Sequence, residues 1–360
     1  MKKSTDNWKN NLIDIDPYVP GEQPDVSGLI KLNTNENPFP PASSVDNVIH
    51  MYNTDNLRKY PSPDASLLVN TISNYYGMPA ENIVVGNGSD EVLALAFRAF
   101  FNSDKPVLFP DITYSFYPVW CSFFGIDYEQ IPLDEEYRIR AYEYSKPNGG
   151  IVICNPNAPT GIAEGKEFLE YIVKSNKDSI VIVDEAYVDF GSYSALELIE
   201  KHENLFISKS MSKSRSLAGM RIGYGFGSKI LIDTFKAVKN SFNSYTLDDL
   251  AIRIGTESLL SKNYYQVQIE KILRLRYKYM KALRELGFTV LESQTNFYFI
   301  THKDYDAKEI FDYLRENKIL VRHFDKPRID NFLRISIGTE EEMDMLLQTL
   351  VIFIEKKLEK

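Results

Sequence analysis

"NIVVGNGSDEVLALAFRAFF", residues 82–101, decides the architecture of this chain. It opens with a short apolar run, Ile83 to Val85, of the kind found in strands buried on both faces. Gly86, Asn87 and Gly88 then break the run, and Gly88 gives the backbone the freedom for a tight turn. The remainder has the periodicity of an amphipathic helix. Strand, turn and helix in this order form the unit of a parallel sheet covered by helices. Ligands in such sheets bind beyond the carboxyl ends of the strands. A helix start with free N–H groups there is an anion site, although Ser89 or Asp90 as a plain helix cap explains the same residues.

Outward from this unit the pattern repeats. "KPVLFPD", "GGIVICNPNAPTG", "DSIVIVDEAY", "NLFISKS" and "MRIGYGFG" are further strand candidates, most followed by turn residues and helical spacing. The expected fold class is α/β, with a large domain built on a mostly parallel, helix-covered sheet. Beyond about residue 258, the long helical stretch "YYQVQIEKILRLRYKYMKALRELG" leads into "FTVLES", "NFYFIT", "AKEIFDYLRENK", "ILVRHF", "FLRISIG" and a final helix. Strands and helices without tight alternation predict a smaller α+β domain there. Residues 1–43, rich in Pro, Asn and Asp, read as an extended arm with turns. The expected division is an arm over 1–43 belonging to the small domain, a large domain over 44–258, and the small domain proper over 259–360.

Bulk properties exclude several classes of function. The 360 residues are 44% hydrophobic and 25% charged, an ordinary soluble balance. A net charge of −9 leaves no global basic footprint for nucleic acid. The two cysteines, Cys121 and Cys154, make neither a disulfide framework nor a metal pair, and the four histidines show no ligand spacing, so no metal is expected. The N-terminus lacks the apolar core of a signal peptide, and no apolar run is long enough to span a bilayer. A cytoplasmic location is the expectation.

The polar residues at strand ends carry the chemistry. Asp184 ends the run "VIVD", with Tyr187 three residues later. A carboxylate there could bind a metal, accept a proton, pair with a protonated ring nitrogen, or only cap the next element. "ICNPNAPTG" is a stiff loop presenting amide side chains, or simply a turn. "RIGYGFGSKILIDTF" invites a dinucleotide reading, but the third glycine is misplaced, since Ser228 stands at the sixth position. "SKSMSKSRSLAGMRIGYG", residues 208–225, crowds hydroxyls, two arginines and two lysines. A phosphate-gripping helix start, an Asp at a strand end, an Asn-rich loop and a Ser/Lys/Arg loop together meet the needs of pyridoxal phosphate. That cofactor takes a lysine for its Schiff base and a carboxylate for its ring nitrogen.

On these stretches, and on "DPYVPGE", "KLNTNENPFPP", "RKYPSPDA", "PDITYSFY", "TNFYF" and "FLRISIGT", the chain resembles the fold-type-I pyridoxal-phosphate-dependent aminotransferases over nearly its whole length. Within them it is most similar to the histidinol-phosphate aminotransferase group. The resemblance implies that Lys213 forms the Schiff base with pyridoxal 5'-phosphate and shuttles the proton. It implies that Asp184 pairs with the ring nitrogen, that Tyr187 bonds the phenolic oxygen, and that Tyr114 stacks on the ring. Ser89, Asp90, Ser210, Ser212 and Arg221 would hold the phosphate, with Tyr60 reaching the phosphate of the partner subunit in a homodimer. The family usually has Asn just before Pro-Thr-Gly. Here that position is Ala158, which leaves Asn157 or Asn155 to supply the amide at the phenolic oxygen. Lys209 stands where an arginine is commoner.

For substrate, Arg334 matches the arginine that binds an acidic group, assisted by Arg322, by Tyr18 from the arm, and by Asn35. The implied reaction is ping-pong transamination of L-histidinol phosphate with 2-oxoglutarate, giving imidazole acetol phosphate and L-glutamate. An aromatic amino-acid aminotransferase or a threonine-phosphate decarboxylase on the same scaffold is the alternative. A non-catalytic protein retaining the fold is the competitor of another class. Of the two lysines, Lys213 alone has Ser210 and Arg221 at the family's offsets. Lys209 reads as a supporting charge at a strand end, and its replacement by Ala is expected only to impair the enzyme.

Overall fold

The computed structural model describes residues 7–359. Strand β1 (Ile30–Lys31) comes after a mostly extended arm. Helices α1 (Ser43–His50) and α2 (Ser66–Tyr76) precede the first strand of the main sheet, β2 (Ile83–Asn87), which runs into α3 (Gly88–Phe100). The order continues with β3 (Val107–Pro110), α4 (Phe116–Phe124), β4 (Tyr128–Ile131), β5 (Gly150–Cys154) and α5 (Lys166–Ser175). Then come β6 (Val181–Asp184), β7 (Leu205–Ser210), β8 (Ile222–Gly227), α6 (Lys229–Phe242), α7 (Asp249–Leu260) and α8 (Lys262–Glu285). The C-terminal part holds β9 (Phe288–Val290), β10 (Phe297–His302), α9 (Ala307–Glu316), β11 (Ile319–Leu320), β12 (Arg322–His323), β13 (Leu333–Ser336) and α10 (Glu340–Leu358).

Among the described residues, the main sheet has seven strands in the order β2-β8-β7-β6-β5-β3-β4. All neighbours pair in parallel except at β8, which runs antiparallel to both β2 and β7. The strand stretches expected from sequence are all present, and the sheet is mostly parallel. Two features were not expected: the reversed direction of β8, and β4. That strand, "YEQI", is an edge strand with three of its four residues exposed, so it lacks the apolar run that marks the others.

The central strands alternate between two cores. Ile151, Ile153, Val181, Val183, Leu205 and Ile207 join one hydrophobic cluster. Val152, Cys154, Ile182 and Phe206, between them in sequence, join the other. Successive side chains of a strand point to opposite faces, so a sheet covered on both sides needs apolar residues at every position. Each buried Val, Leu, Ile or Phe contributes about 1.5–3 kcal/mol relative to exposure.

The C-terminal strands form an antiparallel sheet, β12-β13-β10-β9, and β1 of the arm pairs in parallel with β11. Further along the arm, the Ser336 N–H of β13 donates to the Leu32 carbonyl. Helix α10 starts with a reciprocal capping box: the Glu342 N–H donates to Thr339 Oγ1, and the Thr339 N–H donates to the Glu342 carboxylate. Among the described residues, no helix is long and apolar enough to cross a membrane.

Candidate active site

The carboxyl ends of β5, β6 and β7 open into a cavity of about 440 Å³, lined among others by Cys154, Asp184, Ser210, Ser212 and Lys213. Asp184 is the last residue of β6, in register with Cys154 on one side and Ser208 on the other. Its carboxylate is buried. It accepts from the Tyr117 hydroxyl at 3.0 Å and from the Ala186 N–H at 3.2 Å. Burial raises the carboxyl pKa to about 7, while those two hydrogen bonds hold it down.

Lys213 lies on the loop that leaves β7. Its Nζ donates to the Thr34 carbonyl of the arm at 3.2 Å and sits 5.8 Å from the centre of the Tyr187 ring. Burial lowers the amine's pKa to about 8, and the Arg334 guanidinium pushes in the same direction. Lys209 faces the other way. Along β7 the side chains alternate, so Ser210 lines the cavity while Lys209 points to the opposite face. There its Nζ meets Glu185 Oε2 at 2.8 Å, with both side chains buried. The supporting charge at the strand end is therefore half of an interior ion pair.

One wall of the cavity is rich in N–H and O–H donors. Helix α3 begins at Gly88, one residue before the expected cap, so Ser89 and Asp90 lie inside its first turn. Asn87 occupies the cap position and makes no side-chain capping bond, so first-turn N–H groups remain without intrahelical partners. Ser89, Asp90, Ser210, Ser212 and Arg221 all line this part. Arg221 Nη2 pairs with Asp90 Oδ2 at 2.9 Å. Two glycines make the close approach possible. A Cβ on Gly88, whose φ is +83°, would lie 2.5 Å from Arg221 Nη2. A Cβ on Gly223 would lie 2.3 Å from the Ser89 nitrogen. Gly223 of β8 thus serves passage against the α3 turn, while Gly225 makes room for the Phe206 ring, and neither role asks for a dinucleotide pattern.

The opposite wall comes from the arm and the C-terminal strands. Tyr18, Asn35, Arg322 and Arg334 line it together with Tyr114 and Tyr187. The Tyr114 hydroxyl donates to Asp90 Oδ1 at 2.8 Å. Burial raises the Tyr187 phenol to about 12, countered by Arg334 and by the Asn35 amide, which donates to the phenol oxygen at 2.9 Å. Tyr18 stacks on Phe116 with ring centres 4.2 Å apart. Arg322 donates to the carbonyls of Val19 and Pro20 at 3.3 and 3.4 Å, tying down the arm. Arg334 donates to the Asn33 carbonyl at 3.1 Å, while its buried Nε has no hydrogen-bond partner among the described residues. A buried unpaired guanidinium nitrogen is costly and suits an anionic ligand.

Two expected residues lie elsewhere. Tyr60 is 82% exposed, stacked on Tyr245, and outside the cavity of its own chain. Asn157 requires a correction. Its amide nitrogen donates to the Ile112 carbonyl and to Thr160 Oγ1, and its oxygen accepts from Thr113, so the side chain is consumed in bracing its own loop. Asn155 is likewise tied to the Glu164 backbone. Neither reaches the cavity, which Ala158 lines instead.

Sequence reasoning also missed residues. Tyr117, three positions beyond Tyr114 across the start of α4, was readable as an inward-facing hydroxyl. Thr34 acts through its carbonyl, which leaves no mark in the sequence.

A model of aminotransferase class I and II matches residues 27–350. The chain belongs to this family. It is 48% identical over 351 residues to the histidinol-phosphate aminotransferase of Lactococcus lactis subsp. cremoris (strain MG1363), covering 98% of this chain and 99% of that one. It is also 48% identical over 347 residues to the histidinol-phosphate aminotransferase of Acinetobacter baumannii (strain SDF), covering 95% and 96%. The fold matches a solved structure of histidinol-phosphate aminotransferase from Sinorhizobium meliloti in complex with pyridoxal-5'-phosphate. That match has a TM-score of 0.83, 23% identity and 91% of each chain covered.

The aminotransferase cofactor, pyridoxal 5'-phosphate, fits the residues present. The cavity offers an amine, a buried carboxylate on the strand beside it, a phenol, an aromatic face, and a cradle of N–H groups and a guanidinium that a Cβ at Gly88 would crowd.

Proposed function

We propose that this chain transaminates L-histidinol phosphate with 2-oxoglutarate, giving imidazole acetol phosphate and L-glutamate in two half-reactions at one cavity. One observation carries the reading. The Lys213 amine, held near pKa 8, faces the same cavity as the unpartnered Nε of Arg334. The relatives at 48% identity, matched nearly end to end, support the choice of substrate.

Bound pyridoxal phosphate supplies a carbonyl carbon for the substrate's nitrogen and a ring that draws electrons from the Cα–H bond. The protein's part is positioning and proton movement. Ser89 and Asp90 offer backbone N–H groups to the phosphate. Ser210 and Ser212 add hydroxyls, and Arg221 adds charge-assisted hydrogen bonds. Asp184 would hold the ring nitrogen protonated. A cationic N–H opposite it favours the ionised carboxylate against the burial that raises its pKa. Tyr187 would donate to the phenolic oxygen, and Tyr114 would cover one ring face. Lys213 Nζ would be the group that takes the proton from the substrate Cα and, with the cofactor bound, would be placed to return it. A base with pKa near 8 can do both near neutral pH.

Arg334, with Arg322 and Tyr18, receives the acidic end of each substrate: a phosphate in one half-reaction and a carboxylate in the other. Asn35 stands beside them. We further propose a cytoplasmic homodimer in which the exposed Tyr60 reaches the phosphate of the second copy. The arm and residues 259–360 would then act as one small domain against a large domain over 44–258.

Turnover of L-histidinol phosphate, phenylalanine and O-phosphothreonine, measured side by side on purified protein, tests the substrate. Inactivity on the first overturns the proposal. Activity restricted to either of the others assigns the alternative chemistry. Borohydride treatment should fix the cofactor on Lys213 in the wild type and leave nothing attached in Lys213→Ala.

A further inference from the structure

The Asn35 side chain is buried at the seam between the arm, the C-terminal strands and the large sheet. It lies in the left-handed region at φ 56°, a conformation that Asn tolerates better than most residues. Three hydrogen bonds, to Ser336 and Asn296, fix it. Its own N–H donates to Ser336 Oγ at 2.8 Å, and its carbonyl accepts from Asn296 Nδ2 at 3.0 Å. The Ser336 hydroxyl, already accepting from that N–H, donates its proton to Asn35 Oδ1 at 3.2 Å. With the amide oxygen at Ser336, the NH₂ is at Tyr187, where it donates to the phenol oxygen at 2.9 Å. The neighbouring amides of Asn155 and Asn157 are committed to their own loop.

We propose that Asn35 is a positioning residue for the cofactor, acting through Tyr187. Its amide occupies an acceptor site of the phenol, directs the phenol proton into the cavity, and strengthens it as a donor. Ser336 of β13 and Asn296 before β10 hold the amide in place, so the seating of the arm on the C-terminal sheet is read at the phenolic oxygen of the cofactor. The inference rests on the cofactor reading above. It assigns Asn35 to the cofactor's electronics, in addition to the rim where substrate binds.

The physical consequence is measurable without turnover. A hydrogen bond to a negatively charged oxygen favours whichever form carries more negative charge. The visible band of the bound cofactor titrates as its ring system loses a proton. A donor at the phenolic oxygen therefore moves the midpoint to lower pH, and weakening that donor moves it up.

Spectrophotometric pH titration of the purified holoenzyme is the test. Tyr187→Phe should raise the midpoint by the full effect of the phenol. Asn35→Ala should raise it by roughly a fifth of that, the share expected when one bond of a chain polarises the next. Ser336→Ala, which frees the amide without removing it, should shift the midpoint in the same direction by less. In the Tyr187→Phe background, Asn35→Ala should add nothing.

If the wild-type band titrates but neither Asn35→Ala nor Ser336→Ala moves it, while thermal unfolding falls, Asn35 is structural and the inference is overturned. An Asn35→Ala shift that persists undiminished in Tyr187→Phe also overturns it. If the wild type gains no visible band with added pyridoxal phosphate, the cofactor reading fails first and this inference fails with it.

Discussion

Removing the Lys209 ammonium should destabilise the protein while leaving the groups that line the cavity in place. Lys209 Nζ lies 2.8 Å from Glu185 Oε2, with side-chain exposures of 4% and 0%. Glu185 also accepts from Ser194 Oγ and from the Ala195 N–H, each at 2.6 Å, so its carboxylate stays buried when the lysine is gone. Breaking one side of such a pair costs about 3–5 kcal/mol, because a charge is left in the interior without its counter-ion. With an unfolding entropy of about 2.1 cal/mol/K per residue, a cost of about 4 kcal/mol over a chain of this length lowers the midpoint by about 5 °C. Calorimetry on Lys209→Met, fully loaded with cofactor, should show that drop. The double variant Glu185→Gln/Lys209→Met removes both charges and keeps an acceptor for Ser194. It should recover more than half of the loss. A single variant that melts within 1 °C of wild type, or a double variant no better than the single, would refute the reasoning (the 1 °C limit being roughly a fifth of the expected shift). The sequence-based expectation of a merely impaired Lys209→Ala enzyme treated the residue as a supporting charge at a strand end, and its burial against Glu185 makes the variant a stability lesion.

Other perturbations separate the parts of the site. Arg334→Gln should raise KM for both the amino donor and 2-oxoglutarate by about a hundredfold, since a charge-assisted contact worth roughly 2–3 kcal/mol is lost. An effect confined to one substrate would deny it the shared role. In cofactor-free protein, the rate at which Lys213 reacts with added pyridoxal phosphate should rise with pH and level off near pH 8, because only the neutral amine attacks. A rise continuing to pH 10 would mean that the amine is not perturbed. The same shift has a stability sign. Between about pH 8 and 10.5 the unfolded chain keeps a proton on Lys213 that the folded chain has released, so this residue's contribution to stability rises with pH across that window. Gly88→Ala should cut cofactor affinity at least tenfold, read by equilibrium dialysis. The new methyl would meet the Arg221 guanidinium at 2.5 Å, on a backbone whose φ of +83° disfavours any Cβ. Unchanged affinity would remove Arg221 from the phosphate site.

What could be read from the sequence, and what could not, follows from how each residue acts. The strands from β5 to β7 announced themselves because both faces are buried, so every position is apolar until the strand reaches the ligand edge at Asp184 or Ser208. β4 was silent because an exposed edge strand has no such constraint. Charged side chains that touch the cavity directly, Lys213, Asp184, Arg221 and Arg334, were legible from residue type and position. Contacts made by the main chain, such as the Thr34 carbonyl at Lys213, were not. Amides were the hardest case. Asn157, Asn155 and Asn35 are chemically equal on paper, and only the partners each side chain finds tell a loop brace from a donor at Tyr187.

The two lysines show what the fold adds to a motif. "SKSMSK" places Lys209 and Lys213 four residues apart in nearly identical surroundings. On a strand, moving one position reverses the face, so Ser210 looks into the cavity and Lys209 away from it. After Ser210 the strand ends, and the loop carries Lys213 back over the same edge toward Thr34 and Tyr187. Burial then acts on the two amines with opposite outcomes. Burial opposes the charge on both, but Lys209 has a carboxylate within contact and its pKa is raised overall, so it stays an ion. Lys213 has the Arg334 guanidinium nearby and, among the described residues, no carboxylate in contact, so it becomes a base near neutral pH. A change of partner charge, with the same residue type at similar depth, is enough to turn a structural cation into a reactive amine.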